Sequence, residues 1–337
     1  AITKGESAMK AVVVTAKGNP SVLDARNIDA PEISSDNQVL VKIAAAGVNP
    51  IDTKVRAGNL FGAEFPFIPG CDACGTVVET GSAVTGFRPG DMVWYCHGGL
   101  GLAQGNYAEY NVLEAWQLAH KPASIDATEA AASPLVLITA WESLITQARL
   151  QADETVLIHA GAGGVGHVAI QLAKWRGARI ITTVSSAEKA AIARELGADE
   201  TIDYRNENLA ERITELTDGK GADVVYDTVG PAVFQDSIAL TAHYGRLVTL
   251  INPAGTDWTE ARTRNLAVHF TLMLAPWVRN LKEHWIRQVD ILRQCGELFD
   301  NGKLHVRVQE TLPLEQAAEA HRIIEQGHAS GKLVLTI

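Results

Sequence analysis

The stretch TVLIHAGAGGVGHVAIQLAKWRGARIITTV, Thr155 to Val184, admits few folds. An apolar run, TVLIHA, meets the glycine turn GAGGVG (Gly161 to Gly166). A segment with helical spacing follows, and then a second apolar run, ARIITTV. Strand, turn, helix and strand at this spacing open a doubly wound parallel sheet with right-handed crossovers. Each glycine has an expected task. Gly161 lets the strand turn sharply, Gly163 lets the backbone approach a pyrophosphate, and Gly166 lets the helix lie close to the strand. Ala162, Gly164 and Val165 complete the turn, and the free N–H groups at the helix start would face the phosphates. The alternative is a glycine-rich loop with no ligand. It leaves three glycines at fixed offsets unexplained, each of them costly in chain entropy.

The alternation continues through ETIDY, ADVVYDTV, GRLVTLI and AVHFTLM, giving six short apolar runs in all. The first third of the chain reads differently. KAVVVTA, QVLVKIAAAGV and ACGTVVETG are strand-like and separated by Asn-Pro, Pro-Gly and Gly-Asp pairs. After Pro276 a long helix is expected, with Val278, Leu281, Trp285, Val289 and Leu292 on one face. The last segment, LHVRVQETLPL and then EQAAEAHRIIEQGHASGKLVLTI, reads as strand, helix, strand. The pattern predicts a discontinuous β-rich domain, 1–131 and 275–337, interrupted by a dinucleotide-binding domain, 132–274, with the ligand between them.

A chain of 337 residues has room for two cores. Its net charge of −10 argues against a general nucleic-acid binder, which needs a basic face. Four cysteines make no disulfide framework and point to a reducing, cytoplasmic setting. The most apolar stretch, AAASPLVLITAWESLI, is broken by Ser133, Pro134 and Glu142 and is too short to span a bilayer. The start, AITKGESAMK, lacks the apolar core of a signal peptide, and Met9 is read as the native first residue.

A dinucleotide fold of this kind places an acid about 20 residues past the glycines, on a ribose hydroxyl. Here the chain reads Thr183, Val184, Ser185, Ser186. Ser185, Ser186 and Lys189 offer hydroxyls and an ammonium to a 2′-phosphate, so NADPH is the favoured cofactor. Ser185-Ser186-Ala187-Glu188 is also a capping box that needs no ligand, and Glu188 could serve as a late acid. Tyr204 ends the third strand. It either flanks the adenine or phosphate or is a half-buried strand residue.

GVNPIDTKVRAG, FPFIPGCDACGTVVETG, GFRPGDMV, GNYAEY, SPLVLITAWESL, TIDYRNENLAERITELTDGKGADVVYDTVG and GKLVLTI follow one another along nearly the whole chain. In this order they resemble the medium-chain dehydrogenase/reductase superfamily, and within it the zinc-independent quinone oxidoreductases, the zeta-crystallin-like group. The resemblance implies an α/β protein: a GroES-like β-rich catalytic domain plus a Rossmann domain with a six-strand parallel sheet. It implies Asn49 as the donor that positions substrate or nicotinamide. Asp52 either holds Asn49 or relays a proton, or is a turn or cap residue. Lys54 stands where several relatives carry an aromatic. Thr139 is placed to touch the nicotinamide, and the backbone at Ile251 and Asn252 to hold its carboxamide. Tyr95, His97 and Trp277 are pocket candidates or packing; Trp141 and His159 are read as structural.

Zinc-dependent relatives place a Cys at the position of Asn49, His-Glu at Cys71-Asp72 and a further ligand near Leu135. A catalytic zinc needs about three protein ligands, so no metal is expected. Cys71 reads as a small residue in a packed turn, with a redox-sensitive thiol as the alternative. The implied reaction is hydride transfer to quinones or α,β-unsaturated carbonyls, acceptors that spread the developing charge without a Lewis acid. A 2-enoyl thioester reductase, a zinc-type alcohol dehydrogenase and a non-catalytic NADPH-binding crystallin-like protein remain as alternatives. The apolar edge AVHFTLML, with the family's pairing habit, implies a homodimer.

Overall fold

A computed structural model describes residues 8–327 and 329–337. The residues read as preceding the native start fall mostly outside them. Two compact units result. One ends at Leu135 and takes in Asn280–Gly302 and Val306–Ile337; the other is Val136–Arg279 with Lys303–His305.

The first unit opens with an antiparallel pair, β1 (Ala8–Val14) and β2 (Leu23–Asp29). Then come β3 (Gln38–Val48), α1 (Pro50–Gly58), β4 (Asp72–Thr80), β5 (Met92–Cys96), β6 (Tyr110–Glu114), β7 (Ala119–His120) and the short helix α2 (Ala127–Ala132). The alanines of α2 let it lie close on the sheet: a Cβ on Gly47 of β3 would meet the Ala131 carbonyl at 2.3 Å. Helix α3 (Pro134–Trp141) leads into the second unit and runs on as a π-helical turn, Glu142–Gln147, in which the Ala148 N–H reaches back five residues to Ser143.

In the second unit strands and helices alternate: β8 (Thr155–Ile158), α4 (Gly164–Arg176), β9 (Arg179–Val184), α5 (Ala187–Leu196), β10 (Glu200–Asp203), α6 (Leu209–Leu216), β11 (Ala222–Asp227), α7 (Pro231–Leu240), β12 (Thr241–Thr249), α8 (Thr259–Thr263), β13 (Ala267–Phe270) and α9 (Ala275–Val278). Every pairing is parallel, in the order β10-β9-β8-β11-β12-β13. This is the doubly wound order, in which ligands bind at the carboxyl ends of the central strands. Leu157, Ile181, Val225 and Leu247 meet Phe234 and Ile238 of α7 in its core.

Back in the first unit stand α10 (Lys282–Asp300), β14 (Val308–Pro313), α11 (Ala317–Gln326) and β15 (Lys332–Thr336). Helix α10 is shorter than the apolar spacing suggests: Val278 belongs to α9, and Leu281 only precedes the helix. β15 enters between β14 and β3, giving the order β14-β15-β3-β4-β5-β7, with β6 against the first half of β3.

Candidate active site

The glycine turn is held from behind. Ala160, not Gly161, takes the left-handed conformation, at φ 53°. Gly161 is needed for space instead: a Cβ there would meet Thr182 Oγ1 at 2.1 Å. A Cβ on Gly166 would meet the Ala160 carbonyl oxygen, also at 2.1 Å, so α4 packs on the turn itself. At Gly163 the demand is milder. An added Cβ would meet the Ala160 carbonyl oxygen at 3.2 Å, a tight contact that a shift of a few tenths of an ångström relieves, and beyond the adjoining chain only Ala160 lies within 4 Å. That leaves the approach to the start of α4 open, as a pyrophosphate would need.

A chain of hydrogen bonds fixes this geometry. Thr183 Oγ1 accepts from the Ala160 N–H at 3.0 Å and lies 3.4 Å from His159 Nδ1. His159 Nε2 lies 2.8 Å from Ser237 Oγ, which itself donates to the Val233 carbonyl. Ser237 therefore accepts from Nε2–H, and Nδ1 accepts from Thr183. Burial holds His159 down to about 4, so the neutral ring is the working form, a structural role as expected. Neighbouring Asp227 is fully buried: one oxygen accepts from the Val229 and Gly230 N–H groups, the other from Thr249 Oγ1. Thr249 in turn accepts from the Ile251 N–H, which fixes the loop of Ile251 and exposed Asn252.

At the end of β9 the cap is one residue later than the sequence suggests. Ser186, not Ser185, caps α5, its Oγ accepting from the Lys189 N–H at 3.2 Å. Its O–H proton stays available, and Ser185 and Lys189 stand half-buried beside it. Tyr204 is exposed, tied to the end of β9 by its N–H on the Val184 carbonyl. Thr139 is buried on α3, and Trp277 is half-buried on α9. Trp141 stacks on Trp175 with ring centroids 5.4 Å apart, a packing role.

The second constellation lies in the first unit, where β3 ends and α1 begins. Asn49 precedes α1, and its N–H donates to Asp52 Oδ2 at 2.8 Å. This is the N-terminal back-bond of a capping box, so the cap role of Asp52 is real. The Asn49 side chain does not cap. Its Nδ2 donates to Asp72 Oδ2 at 2.9 Å, and its Oδ1 accepts from the ammonium of Lys332 on β15. Lys332 also donates to the Val48 carbonyl at 3.0 Å, and Asp72 Oδ1 accepts from the Leu135 N–H at 2.9 Å. Asn49, Asp52 and Asp72 expose no surface, and Lys332 almost none. Two valences stay unfilled in this interior: the second Nδ2 proton of Asn49, and Asp52 Oδ1, which has no partner. Burial pushes Asp52 up to about 7, the charge of Asp72 adding to it while the Asn49 N–H opposes; burial likewise raises Asp72 and lowers Lys332.

This donor set does not fit zinc. Both oxygens of Asp72 are committed to N–H donors, the oxygen of Asn49 faces an ammonium, and Leu135 contributes only its backbone N–H. Among the described residues, no three His, Cys, Asp or Glu side chains converge for a metal. Cys71 is fully buried and burial raises its thiol, which suits a packed turn rather than a redox thiolate.

Asn106 anchors the strand that carries Asp72. Its Nδ2 lies within hydrogen-bond distance of the carbonyls of Gly70, Cys71 and His97, and its Oδ1 accepts from Tyr95 and Asn111. Tyr95 is fully buried with its hydroxyl engaged by Asn106, which fits the packing alternative. His97 packs against Trp285, centroids 4.9 Å apart, and burial keeps it neutral. Lys54 stands exposed on α1. Sequence reasoning missed Lys332, Asn106 and Asp227. The one signal was for Lys332, a lone charge opening the apolar run KLVLTI.

A six-strand Rossmann sheet with an acid-free ribose end, joined in one chain to a β unit holding this polar cluster, is the build of a pyridine-nucleotide oxidoreductase. Family models agree. Residues 35–123 match the alcohol dehydrogenase GroES-like domain and residues 196–335 the zinc-binding dehydrogenase domain. A quinone oxidoreductase of Pseudomonas aeruginosa is 36% identical over 97% of this chain and 99% of its own. A 2-haloacrylate reductase of a Burkholderia species is 33% identical over 96% of this chain and 98% of its own. The structure of the Escherichia coli quinone oxidoreductase complexed with NADPH superposes with a TM-score of 0.85 at 32% identity, covering 97% of this chain and all of that one. The chain belongs to the quinone oxidoreductase group of the medium-chain dehydrogenase/reductase superfamily.

Proposed function

We propose that this chain is an NADPH-dependent, zinc-independent reductase of quinones and α,β-unsaturated carbonyls. One observation carries the reading: the buried cluster at Asn49 consumes the groups a metal would need and leaves one N–H donor and one carboxyl oxygen unfilled. An N–H without an acceptor in a dry interior is costly, and an acceptor oxygen gaining charge is the partner that repays it. When bound, NADPH supplies the hydride. Asn49 would steady the carbonyl oxygen as charge develops there, and Asp52 would hold Asn49 by its N–H and keep a proton near the site. The open backbone at Gly163 and the start of α4 would take the pyrophosphate. Ser185, Ser186 and Lys189 would take the 2′-phosphate, with Tyr204 beside it, and Thr139, Ile251 and Asn252 the nicotinamide end. Similarity to a 2-haloacrylate reductase supports unsaturated acids as a second acceptor class, for which exposed Lys54 is an available cation.

The test is oxidation of NADPH and NADH across a panel containing a quinone, a short enal, a 2-haloacrylate and a crotonyl thioester. It is run with and without prior chelator treatment. NADPH is expected to be preferred and chelators to change nothing; one zinc per chain whose removal abolishes turnover would overturn the reading. Lys189→Ala separates a phosphate site from a plain helix cap. A hydrogen bond to a charged group is worth about 1.5–3 kcal/mol, so the variant should lose roughly 10- to 150-fold in NADPH affinity and little with NADH. The loss falls in KM, because the phosphate contact is equal in ground and transition states.

The exposed edge at β13 supports a homodimer. Four unpaired, buried cysteines favour a reducing compartment such as the cytosol, and among the described residues no helix is long and apolar enough to cross a membrane.

A further inference from the structure

The usefulness of Asn49 depends on which way its carboxamide faces. As an amide it has one acceptor end and one donor end. Here charges on either side decide between them. The Lys332 ammonium meets Oδ1, and the Asp72 carboxylate meets Nδ2. A flipped amide would set N–H against an ammonium and oxygen against a carboxylate. Lys332 itself is held in place by the Val48 carbonyl, one residue before Asn49, through the pairing of β15 with β3.

The same ammonium sits among acids. Facing it are Asp52 from α1, Asp72 from β4, Cys71 just before β4 and Cys96 from β5. Tyr107 lies near the acids as well, with Arg56 beside it. Burial keeps the two thiols and the phenol neutral, so the negative charge that Lys332 balances is that of Asp72, joined by Asp52 once it ionises above about pH 7.

We propose that Lys332 is a positioning residue for the acceptor site: its buried ammonium fixes the Asn49 carboxamide so that one N–H stays free for the acceptor oxygen, and it lets Asp52 and Asp72 share one interior. The first half rests on the reading of Asn49 as a donor; the second does not.

Three variants test it. Lys332→Met keeps the bulk and removes the charge. Lys332→Ala leaves room for added ethylammonium as a probe. Asn49→Ala tests the underlying reading. Both Lys332 variants should lose at least tenfold in kcat at saturating NADPH, with NADPH affinity within twofold of wild type. Ethylammonium should restore part of the kcat of Lys332→Ala in a concentration-dependent way and leave wild type and Asn49→Ala unchanged. In the apo-protein, the infrared carboxylic-acid band that Asp52→Asn removes should persist to higher pH in Lys332→Met, because an ionised Asp52 has lost its counter-charge. The proposal is overturned if kcat and the titration of that band survive Lys332→Met. It is also overturned if Lys332→Ala is inactive without any response to ethylammonium and the band does not move, which is the signature of a bulk structural role. If Asn49→Ala retains wild-type kcat, the donor reading fails, and the infrared arm alone then decides whether Lys332 balances the acids.

Discussion

At the residue scale the informative atom is Asp52 Oδ1, buried and without a partner. Asp52 is raised to about 7 from an ordinary 3.8, chiefly by burial. The native chain therefore binds a proton between about pH 4 and pH 7 that the unfolded chain does not. Stability contributed in this way is fully present below the unfolded value and is lost as pH rises through the folded one. Asp52→Asn cannot titrate. The stability of wild type relative to this variant should fall from pH 5 to pH 8, by about 1.4 kcal/mol for each pH unit crossed below the folded value, and then level off. Urea midpoints at the two pH values check it; a difference that does not change with pH would show Asp52 ionised throughout. The family resemblance offered Asn49 and Asp52 together, as the two polar residues of the motif GVNPIDTKVRAG. The sequence could not offer Asp72 and Lys332 as their partners, since contacts across 23 and 283 residues leave no local trace.

At the scale of elements, periodicity served best where one element repeats one environment. All six parallel strands of the second unit stand within the apolar runs or at most a few residues from their ends. Termini were harder to read. The cap of α5 shifted from Ser185 to Ser186, and α10 began at Lys282, because a cap depends on backbone angles that neighbouring serines or apolar residues satisfy equally well. The roles of the glycines also needed the packing. Gly166 is required because α4 lies on the Ala160 carbonyl, a rigid backbone atom that cannot swing aside. Gly166→Ala should therefore cost about 2 kcal/mol as overpacking, ~5 °C in melting temperature for a unit of this size, and should weaken NADPH binding tenfold or more by moving the turn. Gly163→Ala should lower the melting temperature much less and still weaken NADPH, since its added methyl meets the Ala160 carbonyl at 3.2 Å rather than 2.1 Å. Calorimetry and cofactor titration on the two variants distinguish space needed by the protein from space kept for a ligand; equal losses of stability in both would undo that distinction.

For the whole molecule, the open question is what covers β13, an outer strand of the parallel sheet. Phe270 and Leu272 are each 57% exposed and Tyr244 more so. Unpaired edge strands with apolar flanks invite pairing with another copy. The chain should sediment at twice its mass at micromolar concentration, and Phe270→Asp should return it to the monomer; a strictly monomeric wild type would remove the proposal. The placement of β15 has a consequence of another kind. This strand lies between β14 and β3, yet it is synthesised after both. Until it leaves the ribosome, β3 keeps a bare edge, and Asn49, Asp52 and Asp72 have no lysine between them. The second unit, nearly continuous in sequence, has by then emerged entire. On the proposed reading, cofactor binding would thus mature early in translation and the acceptor site only with β15, so a product cut short before β15 should hold nucleotide without being able to use it.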